Sequence, residues 1–189
     1  MPKVKSLAAA TSPIEQTSLE AKPVQQLPRS VPVGLEIPAI DVKSELTNVG
    51  LNADGSVEVP KGENYDKAAW YKHSVTPGEQ GSLVILGHVD SVRTGPSVFF
   101  RLAELQPGDQ VYVQRADGKT VTYKVNRVAE YAKDDFPTQD VYNIDSQVAL
   151  RLVTCGGTFN RQTLEYESNI VAFASFYETK SAPSPEERS

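Results

Sequence analysis

Gln110-Val111-Tyr112-Val113-Gln114-Arg115 is followed by Asp117-Gly118 and then by residues 120–128, where Val121, Tyr123 and Val125 take every second place. This stretch constrains the fold more than any other. Alternation with period two is the mark of a half-buried strand, because successive side chains point to opposite faces. Asp-Gly between two such runs is a hairpin turn, since glycine accepts a positive φ without a steric penalty. The same grammar recurs elsewhere. Leu83-Val84-Ile85-Leu86 is a short continuous apolar run, as a buried central strand would show. Asn52-Ala53-Asp54-Gly55 marks a turn between residues 46–51 and 56–59, and residues 148–154 and 169–176 read as two more strands. Helical signal is confined to a Ser97-capped segment over residues 98–105, closed by Pro107-Gly108, and to a single turn over residues 138–142. Many short strands with turns between them predict an all-β protein, a closed or nearly closed barrel with short helices in its loops.

With 189 residues the chain suits one domain with tails. Pro2, Pro13, Pro23, Pro28, Pro32 and Pro38 crowd its beginning, and residues 1–30 are rich in Ser, Thr, Gln, Pro and Ala without apolar periodicity. Such a stretch reads as a disordered N-terminal linker, and residues 179–189 read as a disordered tail. The folded unit is expected over residues 31–178. A formal charge of -5 argues against a nucleic-acid partner. No apolar run is long enough to span a bilayer, and Leu7-Ala8-Ala9-Ala10 is too short for the core of a secretory signal. The chain is therefore expected to be cytoplasmic or to lack an upstream anchor.

The catalytic inventory is small: one cysteine, Cys155, and two histidines, His73 and His88. One cysteine excludes an internal disulfide framework and a multi-cysteine zinc cluster. Cys155 ends the apolar run Leu150-Arg151-Leu152-Val153-Thr154 and is followed by Gly156-Gly157. A strand end would hold the thiol rigidly, and two glycines would let a substrate backbone approach. A buried structural cysteine is the competing reading. His88 follows Leu83–Leu86 within Gly87-His88-Val89-Asp90-Ser91, at a second strand-to-loop boundary. An imidazole there suits general acid–base work, although a hydrogen-bonded loop histidine fits equally well. Asp90 reads first as a loop cap and second as a catalytic partner. Arg161 lies in the loop after the cysteine and could donate to a developing oxyanion, or simply be a solvated loop arginine. Arg93, Arg101 and Arg151 compete with it, and His73 reads as a surface or groove residue. Thiol, imidazole and arginine together suggest acyl transfer through a thioester on a β scaffold.

At these residues the chain resembles a known family. Leu152-Val153-Thr154-Cys155 resembles the Thr-Leu-x-Thr-Cys motif of sortases, with Arg151 and Leu152 in its first two places. Leu86-Gly87-His88-Val89-Asp90-Ser91 and Gly95-Pro96-Ser97-Val98-Phe99-Phe100-Arg101-Leu102 look like the histidine loop of the actinobacterial class F (class E/F-like) sortases. Cys155-Gly156-Gly157-Thr158-Phe159-Asn160-Arg161, Ile37-Pro38-Ala39-Ile40 and Trp70-Tyr71 match that group in order. The resemblance implies an eight-stranded β-barrel and a cysteine transpeptidase, with Cys155 as nucleophile and His88 as acid and base. It implies an arginine on the strand after the cysteine, near Glu167-Ser168-Asn169, where this chain has none. Arg161 is the only arginine between Cys155 and the tail and inherits the role.

The implied partners are secreted proteins bearing a sorting signal and a peptidoglycan precursor or other amine acceptor. Gly156, Gly157, Thr154 and Trp70 are expected to bind the signal, with Val59 and Pro60 beside them and Phe99 and Phe100 as walls. The family works on the outer face of the cell membrane behind an N-terminal apolar segment, so this chain would be an ectodomain or a truncated form. A monomer without cofactor is expected, and without metal, since Asp134-Asp135 is too thin a cluster for an oxygen cage of about 6–8 ligands. A thiol hydrolase with water as acceptor and a non-enzymatic peptide-binding barrel are the rival readings. An L,D-transpeptidase would want a Ser-x-Gly-Cys-x-Arg run that is missing around Cys155.

Overall fold

Period-two alternation sorts the strand side chains into two layers. Val111, Val113, Val121, Tyr123 and Val125 enter one cluster with Leu35, Ile37, Leu83, Ile85, Leu150 and Leu152, and that cluster fills a barrel. The structure is a computed structural model describing residues 26–91, 94–142 and 147–181. Its strands are β1 (Pro32–Ile37), β2 (Val42–Val49), β3 (Ala68–Tyr71), β4 (Gly81–Leu86), β5 (Asp90–Ser91), β6 (Gly95–Pro96), β7 (Gln110–Arg115), β8 (Thr120–Ala132), β9 (Val148–Asn160) and β10 (Glu165–Lys180). The barrel closes in the order β1-β2-β3-β4-β9-β10-β8-β7, while β5 and β6 form a separate two-stranded ribbon. The pairs β2–β3 and β4–β9 are parallel and the remaining barrel pairs antiparallel. The expected closed eight-stranded barrel is therefore the architecture found.

All of β4 is buried, as its unbroken apolar run predicts. Leu83 and Ile85 face the barrel interior. Val84 and Leu86 face outward into a second cluster with Val153, Val171, Phe173 and Val141. Val141 comes from the one α-helical turn among the described residues, α1 (Thr138–Tyr142), which covers that outer face. Fully burying an aliphatic side chain is worth about 1.5–3 kcal/mol, so this small outer layer holds β4 and β9 firmly side by side.

Three expectations differ from the structure. The segment over residues 97–105 is not an α-helix: it holds turns and the 3-10 turn Leu102–Glu104. Phe99, Leu102 and Leu105 are all buried, and that spacing of three suits the tighter 3-10 geometry. The Ser97 hydroxyl donates to Asp66 Oδ1 at 2.9 Å instead of capping a helix. The packed unit also starts earlier than residue 31. Leu27 lies against the core, its N–H donates to the Gly78 carbonyl at 3.0 Å, and the buried Arg115 donates to the Pro28 carbonyl at 2.8 Å. Finally, β10 continues to Lys180, past the expected boundary at 178. The rest of the expected linker and tail, residues 1–25 and 182–189, lies outside the described residues.

Candidate active site

Strand register brings the two principal candidates together. In the parallel pair β4–β9 the last matched residues are Leu86 and Val153. The Gly87 N–H then donates to the Val153 carbonyl at 3.1 Å, so the two chains stay paired one step further. His88 lies two residues past the end of β4, and Cys155 lies two residues past Val153 along β9. Both line one cavity of about 1070 Å³. Across the other edge of β9, Cys155 is matched with Asn169 of β10, which lines the same cavity.

His88 is fixed from two sides. Its ring stacks on Tyr65, with centroids 3.9 Å apart and planes 5° from parallel. Its Nε2 lies 2.8 Å from the Pro60 carbonyl oxygen. A carbonyl only accepts, so Nε2 carries a proton and Nδ1 is the basic nitrogen of the neutral ring. Asp90 does not orient the imidazole. Its carboxylate accepts a 2.5 Å hydrogen bond from the Tyr166 hydroxyl, and its backbone carbonyl accepts one from Tyr65 at 3.1 Å. Asp90 thus joins the histidine loop to the β9–β10 hairpin, which agrees with its reading as a loop organiser. The Tyr166 hydroxyl is pushed up to about 12, chiefly by that bond to the Asp90 carboxylate, and so stays a donor at working pH. Tyr65 is also raised, first by burial and then by the negative charges of Asp90 and Asp66.

Cys155 is half-buried. Burial pushes its thiol above the ordinary value; Lys133 pulls it down, and Glu165 and Asp90 push it further up. The thiol is therefore protonated at neutral pH, and attack on a carbonyl requires a base beside it. Its place in the strand differs from expectation. β9 does not end at Cys155 but runs on to Asn160. Gly156 and Gly157 accordingly serve the hairpin and are not among the residues lining the cavity. A Cβ on Gly156 would lie 2.5 Å from the Ile170 side chain, and Gly157 has a φ of 75° where the β9–β10 register slips.

The same extension carries Arg161 away. It sits exposed in the turn after Asn160, about 20 Å of extended chain beyond Cys155, and does not line the cavity. Trp70 is not brought to the cavity either: it is buried in the core, and its indole N–H donates to Ser74 Oγ and the Val75 carbonyl. Thr154 does line the cavity, and its buried Oγ1 has no hydrogen-bond partner among the described residues. Val59 lines it as well; Pro60 contributes through its carbonyl to His88. Phe99 is core and Phe100 is exposed. Arg101 is paired with Asp41 and Glu104 at the surface, Arg151 lies over Phe173 on the outer layer, and Arg93 lies outside the described residues. His73 is exposed beside Tyr71. Tyr65, Tyr166 and Lys133 are site residues that sequence reasoning missed. Tyr166 and Lys133 come to the site through strand pairing and Tyr65 through the turn after Gly62–Asn64, neither of which a single sequence shows.

A barrel with a thiol and an imidazole lining one cavity suits the chemistry of a cysteine enzyme, and comparison with known proteins identifies the family. The Sortase domain profile matches residues 35–176. The chain belongs to the sortase family, whose members are cysteine transpeptidases. It is 34% identical over 101 residues to Sortase D of Bacillus subtilis (strain 168), an alignment covering 53% of this chain and 43% of that protein. The chain thus matches less than half the length of this curated relative. Among solved structures, sortase A of Listeria monocytogenes has a TM-score of 0.60 at 16% identity, covering 85% of this chain and 96% of that one. Sortase A from Corynebacterium diphtheriae has a TM-score of 0.60 at 17% identity, covering 85% and 66%. A pilus-related Sortase C of Group B Streptococcus has a TM-score of 0.59 at 17% identity, covering 81% and 70%. These likenesses establish the fold. No helix among the described residues is long and apolar enough to cross a membrane.

Proposed function

We propose that this protein is a sortase-type cysteine transpeptidase, of the class F kind that its histidine loop resembles. It cleaves an LPxTG-like signal in a secreted protein and transfers that protein to an amine of a cell-wall precursor or similar acceptor on the outer face of the membrane. The observation that carries this reading is that His88 and Cys155 line one cavity just past the last matched pair of β4 and β9. Cys155 Sγ attacks the scissile carbonyl carbon while His88 Nδ1 takes the thiol proton. The tetrahedral adduct collapses, the C–N bond breaks, and His88 returns the proton to the leaving amine. The acyl group is then a thioester on Cys155. An incoming amine attacks it, His88 takes the amine proton, the C–S bond breaks, and the proton returns to sulfur. The exposed side chains of Val59, Phe159 and Leu164 offer apolar contact at the cavity.

The test is a fluorogenic sorting-signal peptide incubated with and without an added oligoglycine, with products weighed by mass spectrometry. Ligated product that disappears in Cys155→Ala, and falls about 10²–10⁴-fold in His88→Ala, is expected. Activity retained by Cys155→Ala overturns the reading. Hydrolysis alone at saturating amine makes the protein a thiol hydrolase instead.

A further inference from the structure

We infer that Lys133 is the cation of this active site, stabilising the negative charge that forms on Cys155 and on the substrate's carbonyl oxygen. The inference rests on the proposed acyl transfer. Lys133 follows Ala132, the last residue of β8. Tyr131 and Cys155 are both matched with Asn169 of the intervening strand β10, so the three residues form one row pointing to the same face. Lys133 lies two residues beyond Tyr131, at the first place of the 3-10 turn Lys133–Asp135 that follows β8. Two strand spacings across and two residues along amount to about 12 Å, which a four-carbon side chain leaning inward spans in part. Lys133 lines the cavity that holds Cys155 and His88.

The charges around that cavity make the role necessary. Among the described residues lining it, Lys133 is the one lysine or arginine, against the carboxylates of Asp66, Asp90 and Glu165. A thiolate or oxyanion would otherwise form in a field of negative charge. Of those carboxylates, Asp66 accepts from Ser97 and Asp90 accepts from Tyr166, so both are engaged away from the lysine. Glu165 Oε2 lies 3.1 Å from Lys133 Nζ and holds it in place while offsetting part of its charge. Lys133 and Glu165 thus act on the Cys155 thiol in opposite senses, as their opposite charges require.

The opposition sets the experiment. The pH dependence of iodoacetamide alkylation at Cys155 is measured on the full chain, together with kcat and KM on the signal peptide. Lys133→Met is expected to raise the alkylation midpoint and to lower kcat about 10²-fold with little change in KM, the loss typical of a missing oxyanion donor. Glu165→Gln is expected to lower the midpoint, and Lys133→Arg to restore both measurements toward the parent protein. Arg161→Ala is expected to fall well short of Lys133→Met in either measurement. A Lys133→Met protein with the parent's midpoint and kcat overturns the inference, as does a larger loss from Arg161→Ala. If Cys155→Ala remains active, the acyl-transfer reading fails; the two midpoints still decide whether Lys133 governs the thiol.

Discussion

Removing the Asp90–Tyr166 hydrogen bond separates positioning from chemistry at this site. The bond is short at 2.5 Å, its acceptor is a carboxylate, and it ties the loop carrying His88 to the hairpin carrying Cys155. Hydrogen bonds to charged groups contribute about 1.5–3 kcal/mol net. Both side chains are only part-buried, which places this one near the lower figure. A double-mutant cycle of Asp90→Asn, Tyr166→Phe and the pair, read by urea unfolding, is expected to give a coupling of about 1.5 kcal/mol. Because about 1.4 kcal/mol is a factor of ten, kcat/KM should fall about tenfold in each single variant if the clasp sets the His88 geometry. Two titrations sharpen the test. A phenol absorbance difference between the parent and Tyr166→Phe should titrate near 12, and in Asp90→Asn the same group should titrate lower. The Tyr166 phenol favours its protonated form in the fold. Its contribution to stability is therefore full below the ordinary value of 10.0 and fades as pH rises toward about 12. The Cys155 alkylation midpoint should drop in Asp90→Asn, since the Asp90 charge opposes thiolate formation. A coupling under about 0.3 kcal/mol, within the scatter of independent sites, refutes the clasp. So does a Tyr166 phenol that titrates at the ordinary value in the parent protein.

Arg115, wholly buried and bonded to Asp117 and to the Pro77 and Pro28 carbonyls, should cost about 3 kcal/mol of stability when changed to Met, measured by thermal unfolding. Asp117 is held down at about 2, first by its hydrogen bond to Arg115, so its contribution is present above 3.8 and is lost as pH falls through 2; an acid unfolding curve of Asp117→Asn should lack that component. Calcium added to metal-free protein should leave turnover on the signal peptide unchanged, and a tenfold rise would refute metal-independent chemistry.

The barrel was legible because it is written in local pattern. Residues 110–115 and 120–128 alternate cleanly, and the β7–β8 hairpin forms with Gly118 at a φ of 81°. The unbroken apolar run of β4 foretold burial on both faces, and His88 lies just past its end as expected. Strand ends were less legible. Gly156-Gly157 looks like the start of a loop, yet β9 continues through both residues because β10 pairs with it as far as Asn160 and Glu165. Local propensity breaks at a diglycine, and the ladder slips there but resumes at Phe159 and Tyr166. Residues 97–105 differ in the opposite way: the Ser97 cap and the Pro107-Gly108 stop suggest a helix, and turns with a 3-10 turn at Leu102–Glu104 fill the segment instead.

The cation shows most clearly where a sequence falls short. Arg161 has the right side chain and lies six places after Cys155, but chain distance along a strand is distance away from the thiol. Lys133 lies far earlier in the chain and next to two aspartates, which made the segment look like a weak acidic cluster. Its relation to Cys155 passes through Asn169, matched on one side with β8 and on the other with β9. A one-residue slip of either pairing would turn the row over and send one member to the opposite face. Site geometry in a barrel is therefore a property of register between strands distant in sequence. A family's catalytic arginine can be missing from its usual strand while a lysine just past the end of the next strand lines the same cavity.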